Sequence, residues 1–158
     1  MAEFSLRRAA REDIPSIVRL CKDTILEVYG PFIPRETLRP WVEGRAVDGL
    51  VEGQWQRMIV AEAEADGGVL GVAAASGDSV DLLWVHPSRH GEGMGTALLE
   101  CVEAGMKKRG YRAGRLSCFS ENHRALGFYQ RRGWMTVGEG RNVETGAPET
   151  RMVKSLIG

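Results

Sequence analysis

The sequence has little of what marks several classes of protein. Its three cysteines are odd in number and widely spaced, which fits neither a disulfide framework nor a cysteine-rich zinc site. Its 21 basic and 21 acidic residues cancel, so we expect no broad surface for nucleic acid or an anionic membrane. No apolar run approaches the roughly 20 residues of a transmembrane helix. We therefore predict a metal-free globular protein with no nucleic-acid or membrane partner.

The first residues carry no recognisable secretion signal. The stretch from Met1 to Arg8 lacks the apolar segment of a signal peptide, which favours a cytoplasmic location. Neither a repeat nor a linker-like tract divides the chain, and 158 residues are enough for one hydrophobic core. We therefore predict a single domain over residues 4–158.

The N-terminal third predicts one strand, one helix and an interrupted segment. Residues 4–8 are a strand candidate, and Asp13 is placed to cap a helix whose apolar residues recur at helical spacing. Proline and glycine interrupt residues 32–55, so we expect short helical pieces there. They are predicted to form a mobile flap anchored by Trp41 and Trp55.

The middle of the chain predicts antiparallel β-structure. Two apolar runs flank Asp66-Gly67-Gly68, which favours a hairpin turn. A second turn at residues 76–78 leads into another apolar run at residues 80–85. Three antiparallel strands in succession are therefore expected.

The C-terminal half alternates helices and strands. The predicted elements are a helix at 96–109, a strand at 115–119, a helix at 122–132, and strands at 134–139 and 150–157. With the preceding strands, this order indicates a mixed α/β fold.

A glycine-rich loop joins the strand at 80–85 to the helix at 96–109. The run from His90 to Thr96 holds three glycines, which let backbone N–H groups approach a phosphate or pyrophosphate at a helix start. The loop lacks the Gly-Lys-Ser/Thr end of a P-loop, and its glycines do not have the dinucleotide-binding spacing. A plain strand-to-helix turn is the alternative for this loop taken alone.

A second motif lies on the helix at 122–132. Asn122, Ala125 and Tyr129 are spaced so that they share one face. Asn122 offers an amide donor and acceptor, and the Tyr129 phenol, with a pKa of about 10, is suited to protonating a departing thiolate. The alternative for Tyr129 is a packing role beside Phe128.

The two motifs together resemble the GNAT superfamily of N-acetyltransferases. They read Val85-x-Pro-x-x-His90-Gly-x-Gly-x-Gly95-x-x-Leu-Leu and Asn122-x-x-Ala-x-x-Phe-Tyr129-x-x-x-Gly-Trp. The residues that carry this resemblance lie within residues 80–134. It implies a single-domain α/β (α+β mixed) fold with a central twisted mixed sheet of about seven strands and about four flanking helices. The sheet would splay between the strands at 80–85 and 115–119 to admit acetyl-CoA.

The resemblance also implies roles for individual residues. The backbone of Leu83 and Val85 would pair with the pantetheine arm of acetyl-CoA. Asn122 would bind the pantetheine or its linker, and Tyr129 would protonate the coenzyme A thiolate. Backbone N–H groups would hold the pyrophosphate, and they belong to His90, Gly91, Gly93, Gly95 and Thr96.

One position departs from the family pattern. His90 stands where the family usually carries Arg or Gln, so a long side chain is missing beside the pyrophosphate. We expect cofactor binding to survive, with Arg89 supplying the lost charge.

Acetylation of an amine also requires a group that removes its proton. Asp81 is the first candidate, because it lies on the strand expected to face the cofactor. The weaker candidates are Asp78, His86 and Glu121, and water can serve. Cys101 and Cys118 are interpreted as core residues, which favours direct transfer in a ternary complex.

The acceptor is expected to lie between residues 32–55 and residues 139–149, where the family places its acceptor cleft. A cationic amine could meet the carboxylates of Glu36, Glu43 and Asp48 and the aromatic rings of Tyr29, Trp41 and Trp55. The alternative for these residues is a solvated helix face with the tryptophans packed under it.

We therefore predict an acetyl-CoA-dependent N-acetyltransferase that uses no metal and acts on a primary amine, with a small molecule as the first choice of acceptor. The alternatives are a protein or peptide amine as the acceptor, and a non-catalytic module that binds or senses acyl-CoA. A homodimer is possible by resemblance to the family alone.

Overall fold

Seven strands form one sheet in the computed structural model, which describes residues 3–157. Gly158, the last residue of the predicted domain, and Met1 and Ala2 lie outside the described residues. The strands are β1 (Phe4–Arg8), β2 (Met58–Ala63), β3 (Val69–Ser76), β4 (Ser79–Val85), β5 (Ala113–Phe119), β6 (Met135–Arg141) and β7 (Pro148–Ser155). Their spatial order is β1-β2-β3-β4-β5-β7-β6. Only β4 and β5 are parallel, so the predicted mixed seven-stranded sheet is confirmed.

Five α-helices accompany the sheet among residues 3–157. They are α1 (Ile14–Thr24), α2 (Arg35–Val42), α3 (Ala46–Gln54), α4 (Met94–Lys108) and α5 (His123–Arg131). A π-helical turn, Ile25–Tyr29, continues α1. The short helical pieces expected in residues 32–55 are α2 and α3, which explains why the helices exceed the predicted four.

Both faces of the sheet are buried, because its central strands are apolar on both sides. Val60 and Val72 pack into the cluster that contains α1, α2 and α3, whereas Ala61 and Ala73 pack into the cluster that contains α4 and α5. This alternation is the two-residue period of a strand. Each fully buried side chain of valine size or larger stabilises the fold by roughly 1.5–3 kcal/mol. The two layers of helices thus fix the sheet from both sides.

Strands β4 and β5 meet at one end only. Ser79 is paired with Arg115, and no other register pair joins the two strands within residues 3–157. At the same end, the Arg115 N–H donates to the Asp78 carbonyl at 2.8 Å, and the Arg115 Nε donates to Asp78 Oδ1 at 2.9 Å. Towards their carboxyl ends the strands diverge, so the expected splay is present.

Element boundaries differ from the sequence prediction by a few residues. Helix α4 begins at Met94 rather than Thr96, and β7 covers Pro148–Ser155 rather than residues 150–157. A larger difference concerns Asp13, which does not cap α1 with its side chain. Its carboxylate instead accepts hydrogen bonds from two nitrogens of Arg7, at 2.7 and 2.8 Å, and from the Ala10 N–H at 2.6 Å.

We expect Asp13→Asn to lower the free energy of unfolding by about 1–3 kcal/mol at neutral pH, because a charged acceptor of several hydrogen bonds is lost. Arg7 holds the pKa of Asp13 below its usual value, so this carboxylate stabilises the fold above its unfolded-state pKa. That contribution is lost as the pH falls through the lower, native pKa. Urea unfolding should therefore show a difference between the two proteins that shrinks below about pH 4. A pH-independent difference would contradict this account.

Candidate active site

The splay between β4 and β5 opens into a cavity of about 540 Å³. Its wall consists of β4, the carboxyl half of β5, the loop before α4, the start of α4 and one face of α5. The π-helical turn Ile25–Tyr29 and the start of β7 complete the wall. The structure brings to this cavity the residues predicted to bind acetyl-CoA and the two first-choice catalytic residues: Asp81, Leu83, Val85, His90, Gly91, Gly93, Gly95, Thr96, Asn122 and Tyr129.

Four residues with free N–H groups line the cavity at the start of α4, and they are Gly91, Gly93, Gly95 and Thr96. The first helical bond runs from the Ala97 N–H to the Gly93 carbonyl at 3.0 Å, and among residues 3–157 no group accepts from the N–H groups of residues 91–96. Gly91 and Gly93 both have φ of +85°, a left-handed conformation that favours glycine and is typical of backbone turns whose N–H groups bind anions. The arrangement suits a pyrophosphate at a helix N-terminus.

Gly95 allows α4 to lie close to α5. A Cβ atom at this position would be 3.3 Å from the Phe128 ring and 3.7 Å from Cγ2 of Val85. The first distance is shorter than an ordinary contact, so a larger residue would require the Phe128 ring to move. Glycine here keeps the free N–H groups beside α5.

Arg132 contributes a cation that the sequence reasoning missed. Its Nε donates to Thr96 Oγ1 at 2.9 Å, its Nη1 donates to the Phe128 carbonyl at 2.9 Å, and its guanidinium carbon lies 3.9 Å from the centre of the Phe128 ring. The positive charge is therefore fixed beside the free N–H groups. Arg132 continues the helical spacing of the face at residues 122–129, and that spacing could have revealed it.

His90 and Arg89 take positions that the sequence did not indicate. The His90 Nε2–H donates to the Val85 carbonyl at 3.0 Å, and the His90 N–H makes a long hydrogen bond, 3.4 Å, to the Pro87 carbonyl. Burial, and then nearby Arg124, lowers the pKa of His90. Arg89 donates to Glu92 at 2.9 Å, so part of its charge is neutralised within the loop. The Val85 carbonyl retains a second lone pair, and its pairing with pantetheine stays a prediction.

Tyr129 lies in the cavity wall with 8% of its surface exposed. Within residues 3–157 its hydroxyl has no hydrogen-bond partner. Burial, with smaller contributions from Cys118 and Tyr29, raises the pKa of Tyr129 well above its usual value of 10. The phenol therefore keeps its proton at neutral pH, as a proton donor must.

Asn122 caps α5. Its Oδ1 accepts from the Ala125 N–H at 3.3 Å, and its side-chain nitrogen has no partner in the part of the chain that the structure describes. Asn122, Ala125 and Tyr129 all line the cavity, so their predicted shared face is confirmed.

Asp81 lies at an irregularity of the sheet, where the register between β3 and β4 shifts. Its carboxylate accepts a hydrogen bond from the Ser76 hydroxyl on β3, on the side of β4 away from β5. The weaker base candidates lie outside the cavity wall, and they are Asp78, His86 and Glu121. Cys118 does line the cavity, but burial and Glu149 raise its pKa to about 12, which disfavours a thiolate nucleophile.

The predicted acceptor residues are only partly brought to the cavity. Tyr29 lines it, but residues 32–55 do not, and Asp48 among them forms an ion pair with Lys22 at 3.0 Å. From the other predicted segment, Asn142 and Glu149 line the cavity. Sequence reasoning did not single out these two, because the pairing of β7 with β5, and not a local pattern, brings them there.

Comparison with known proteins identifies the family. The model of the acetyltransferase (GNAT) domain matches residues 36–156, which is most of the chain. The chain belongs to the GNAT acetyltransferase family. None of the curated proteins matches this acetyltransferase in sequence.

Solved structures of low sequence identity share the fold of this GNAT protein. A GCN5-related N-acetyltransferase from Rhodopseudomonas palustris aligns with a TM-score of 0.85 and 21% identity over 98% of this chain and 97% of its own. PaiA N-acetyltransferase from Thermoplasma acidophilum, in complex with coenzyme A, aligns with a TM-score of 0.81 and 18% identity over 97% of this chain and 99% of its own. A ribosomal-protein-alanine N-acetyltransferase from Escherichia coli aligns with a TM-score of 0.71 and 16% identity over 97% of this chain and 94% of its own.

The residues of the cavity fit the acetyl-CoA that this family binds. Free N–H groups and Arg132 face one end, and the unpaired edges of β4 and β5 face the middle. None of the helices in residues 3–157 is long and apolar enough to span a bilayer, and no group of three or more His, Cys, Asp or Glu there is arranged to hold a metal ion.

We expect Gly93→Ala to weaken acetyl-CoA binding by roughly tenfold, because a left-handed alanine costs about 1–2 kcal/mol. The loop would relax and turn its N–H groups away from the pyrophosphate. Gly67→Ala is the matched control, since Gly67 has φ of +74° in the β2–β3 turn, outside the cavity wall. Isothermal titration calorimetry should show normal affinity for the control. Equal affinity in both variants would count against the loop as the binding element.

Proposed function

We propose that this GNAT protein is an acetyl-CoA-dependent N-acetyltransferase that acts on the primary amine of a small molecule. The observation that carries the proposal is that residues with free N–H groups, namely Gly91, Gly93, Gly95 and Thr96, and the protonated Tyr129 line one cavity in the opening between β4 and β5. The proposed catalytic unit is the single domain of residues 4–158.

The donor is held along β4 and the start of α4. The backbone of Leu83 and Val85 pairs with the pantetheine arm, and the Asn122 amide binds the pantetheine. The loop from His90 to Thr96, through the N–H groups of Gly91, Gly93 and Gly95, binds the pyrophosphate. Arg132, whose guanidinium is fixed on Thr96, adds the positive charge that His90 does not supply.

Tyr129 acts as the general acid. The neutral amine nitrogen bonds to the acetyl carbonyl carbon, the carbon–sulfur bond breaks, and its electron pair goes to sulfur. The sulfur takes the phenolic proton of Tyr129. The phenolate then takes up the proton that the nitrogen loses as the amide forms. Acetylated amine and coenzyme A are the products.

Asp81 is proposed to accept the first proton of the ammonium group. Its side chain is exposed to solvent, and within residues 3–157 it has no ion-pair partner. The Ser76 hydroxyl donates a hydrogen bond to one oxygen of this carboxylate. Because this bond turns the carboxylate towards β3, a water molecule carries the proton between the amine and Asp81.

The size of the cavity supports a small acceptor. Its volume of about 540 Å³ must also receive the thioester end of the donor, which leaves limited space beside Tyr29 and Phe119. Because a ribosomal-protein-alanine N-acetyltransferase shares the fold, the fold by itself does not exclude a peptide acceptor.

The first test of the proposal is calorimetric titration with acetyl-CoA, followed by an amine panel scored by coenzyme A release. Micromolar binding, with little for ATP or NAD, and amine-dependent release are expected. Binding without release by any amine, a peptide included, would favour a non-catalytic acyl-CoA-binding module. Absence of binding would overturn the proposal.

We expect Tyr129→Phe to reduce kcat by roughly a hundredfold or more and to leave the affinity for acetyl-CoA unchanged, because only the proton donor is removed. Tyr111→Phe is the control, since Tyr111 lies outside the cavity wall. Burial raises the pKa of Tyr129, so the phenol keeps its proton up to at least about pH 10. Loss of this proton should therefore not reduce the wild-type kcat at any lower pH. Equal turnover in the two variants would remove Tyr129 from the mechanism.

A further inference from the structure

Glu149 is a carboxylate in the cavity wall to which the proposed chemistry gives no role. It lies near the start of β7, where it pairs with Phe119 of β5 and Gly140 of β6. Its side chain is half-buried, and no described Lys or Arg forms an ion pair with it. A carboxylate without a cation in a cavity wall is available to a cationic ligand.

Asn142 holds this carboxylate in place. Its Nδ2 donates to Glu149 Oε2 at 3.1 Å. Asn142 is itself fixed, because its Oδ1 accepts from the N–H groups of Glu144 at 3.0 Å and Thr145 at 2.9 Å, and its N–H donates to the Ala147 carbonyl at 2.8 Å. The Glu149 Oε1 has no partner among residues 3–157. One carboxylate oxygen is therefore oriented and the other is free.

The wall beside Glu149 is aromatic. The rings of Tyr29 and Phe119 meet edge to face with centres 4.9 Å apart, and the Trp84 Nε1–H donates to the Tyr29 hydroxyl at 3.2 Å. Burial raises the pKa of Tyr29 to about 12, and Glu149 adds to the rise. Because Phe119 is the register partner of Glu149, the carboxylate lies beside this aromatic pair. The site thus combines one negative charge with a flat apolar surface.

The positive charges of the cavity wall belong to other elements. They come from the loop before α4 and from α5 with its following residue, and they are Arg89, Arg124, Arg131 and Arg132. The wall formed by the π-helical turn and β7 carries none of them. This separation assigns an anionic ligand to one part of the cavity and a cationic ligand to the part near Glu149.

We infer that Glu149 binds the ammonium group of the acceptor, with Asn142 as its positioning residue. The acceptor is a small monoamine whose aromatic or apolar body packs on Tyr29 and Phe119. This inference rests on the proposed function and names the acceptor class for it. Asp81 keeps its proposed role as the proton acceptor, so Glu149 acts on acceptor binding.

The test uses 2-phenylethylamine as the acceptor probe in steady-state kinetics with the full chain. Glu149→Gln should raise its KM by roughly tenfold to a hundredfold, with kcat within about threefold of wild type, because a charged hydrogen-bond acceptor is lost. Glu149→Asp should restore part of the affinity. Glu100→Gln is the matched control, since Glu100 is an exposed residue of α4 outside the cavity wall.

Two further readouts separate ammonium recognition from a structural role. The affinity for acetyl-CoA should be the same in all variants. Competition by uncharged 2-phenylethanol should be weak in the wild type and unchanged in Glu149→Gln. If the variant loses alcohol or acetyl-CoA binding as well, or leaves the KM of the amine unchanged, the inference is overturned.

The panel also contains spermidine and an N-terminal alanine peptide. Acetylation of either one but not of 2-phenylethylamine would overturn the acceptor class and leave N-acetyltransferase activity standing. If no amine releases coenzyme A, the proposed function fails together with this inference. Acetylation of 2-phenylethylamine with the expected rise in KM supports both.

Discussion

The single register pair between β4 and β5 is the constraint on which the site depends. Unpaired backbone groups inside a protein are costly, so an open sheet persists only when each strand is anchored elsewhere. Here β4 is paired with β3 and β5 with β7 along nearly their whole length, and the Asp78–Arg115 contacts close the narrow end. The opening is thus built into the topology, and the loop before α4 and the helix α5 border it.

The cavity separates charge along its length. Arg132 and the free N–H groups of residues 91–96 make one end attractive to phosphate, and Glu149 marks the aromatic side near the π-helical turn. In a partly buried space such charges act more strongly than on an open surface, because water screens them less. Tyr129 lies in the same wall with its proton retained by burial. The proposed donor, proton source and acceptor therefore have distinct places in the cavity.

Helix α5 shows how much of the site could be predicted from the sequence. The spacing from Asn122 to Tyr129 placed both on one face, and the structure confirms this face and adds Arg132 to it. The glycine loop was equally predictable, because positive φ at Gly91 and Gly93 is a local property of the chain. Competition between neighbouring hydrogen-bond donors for one carboxylate was harder to predict. Asp13 has the residue type of a helix cap, but Arg7 and the Ala10 N–H bind its carboxylate instead.

The sequence by itself determined the order of the elements, the glycine loop before α4 and the face of α5, because helical spacing, strand alternation and turn chemistry depend on neighbouring residues. Tertiary structure alone decided that Tyr29 and Glu149, 120 positions apart in the sequence, share one wall with Asn142. It also decided that residues 32–55 stay out of that wall. Strand register and helix packing join distant segments, and no local pattern encodes which distant side chains meet.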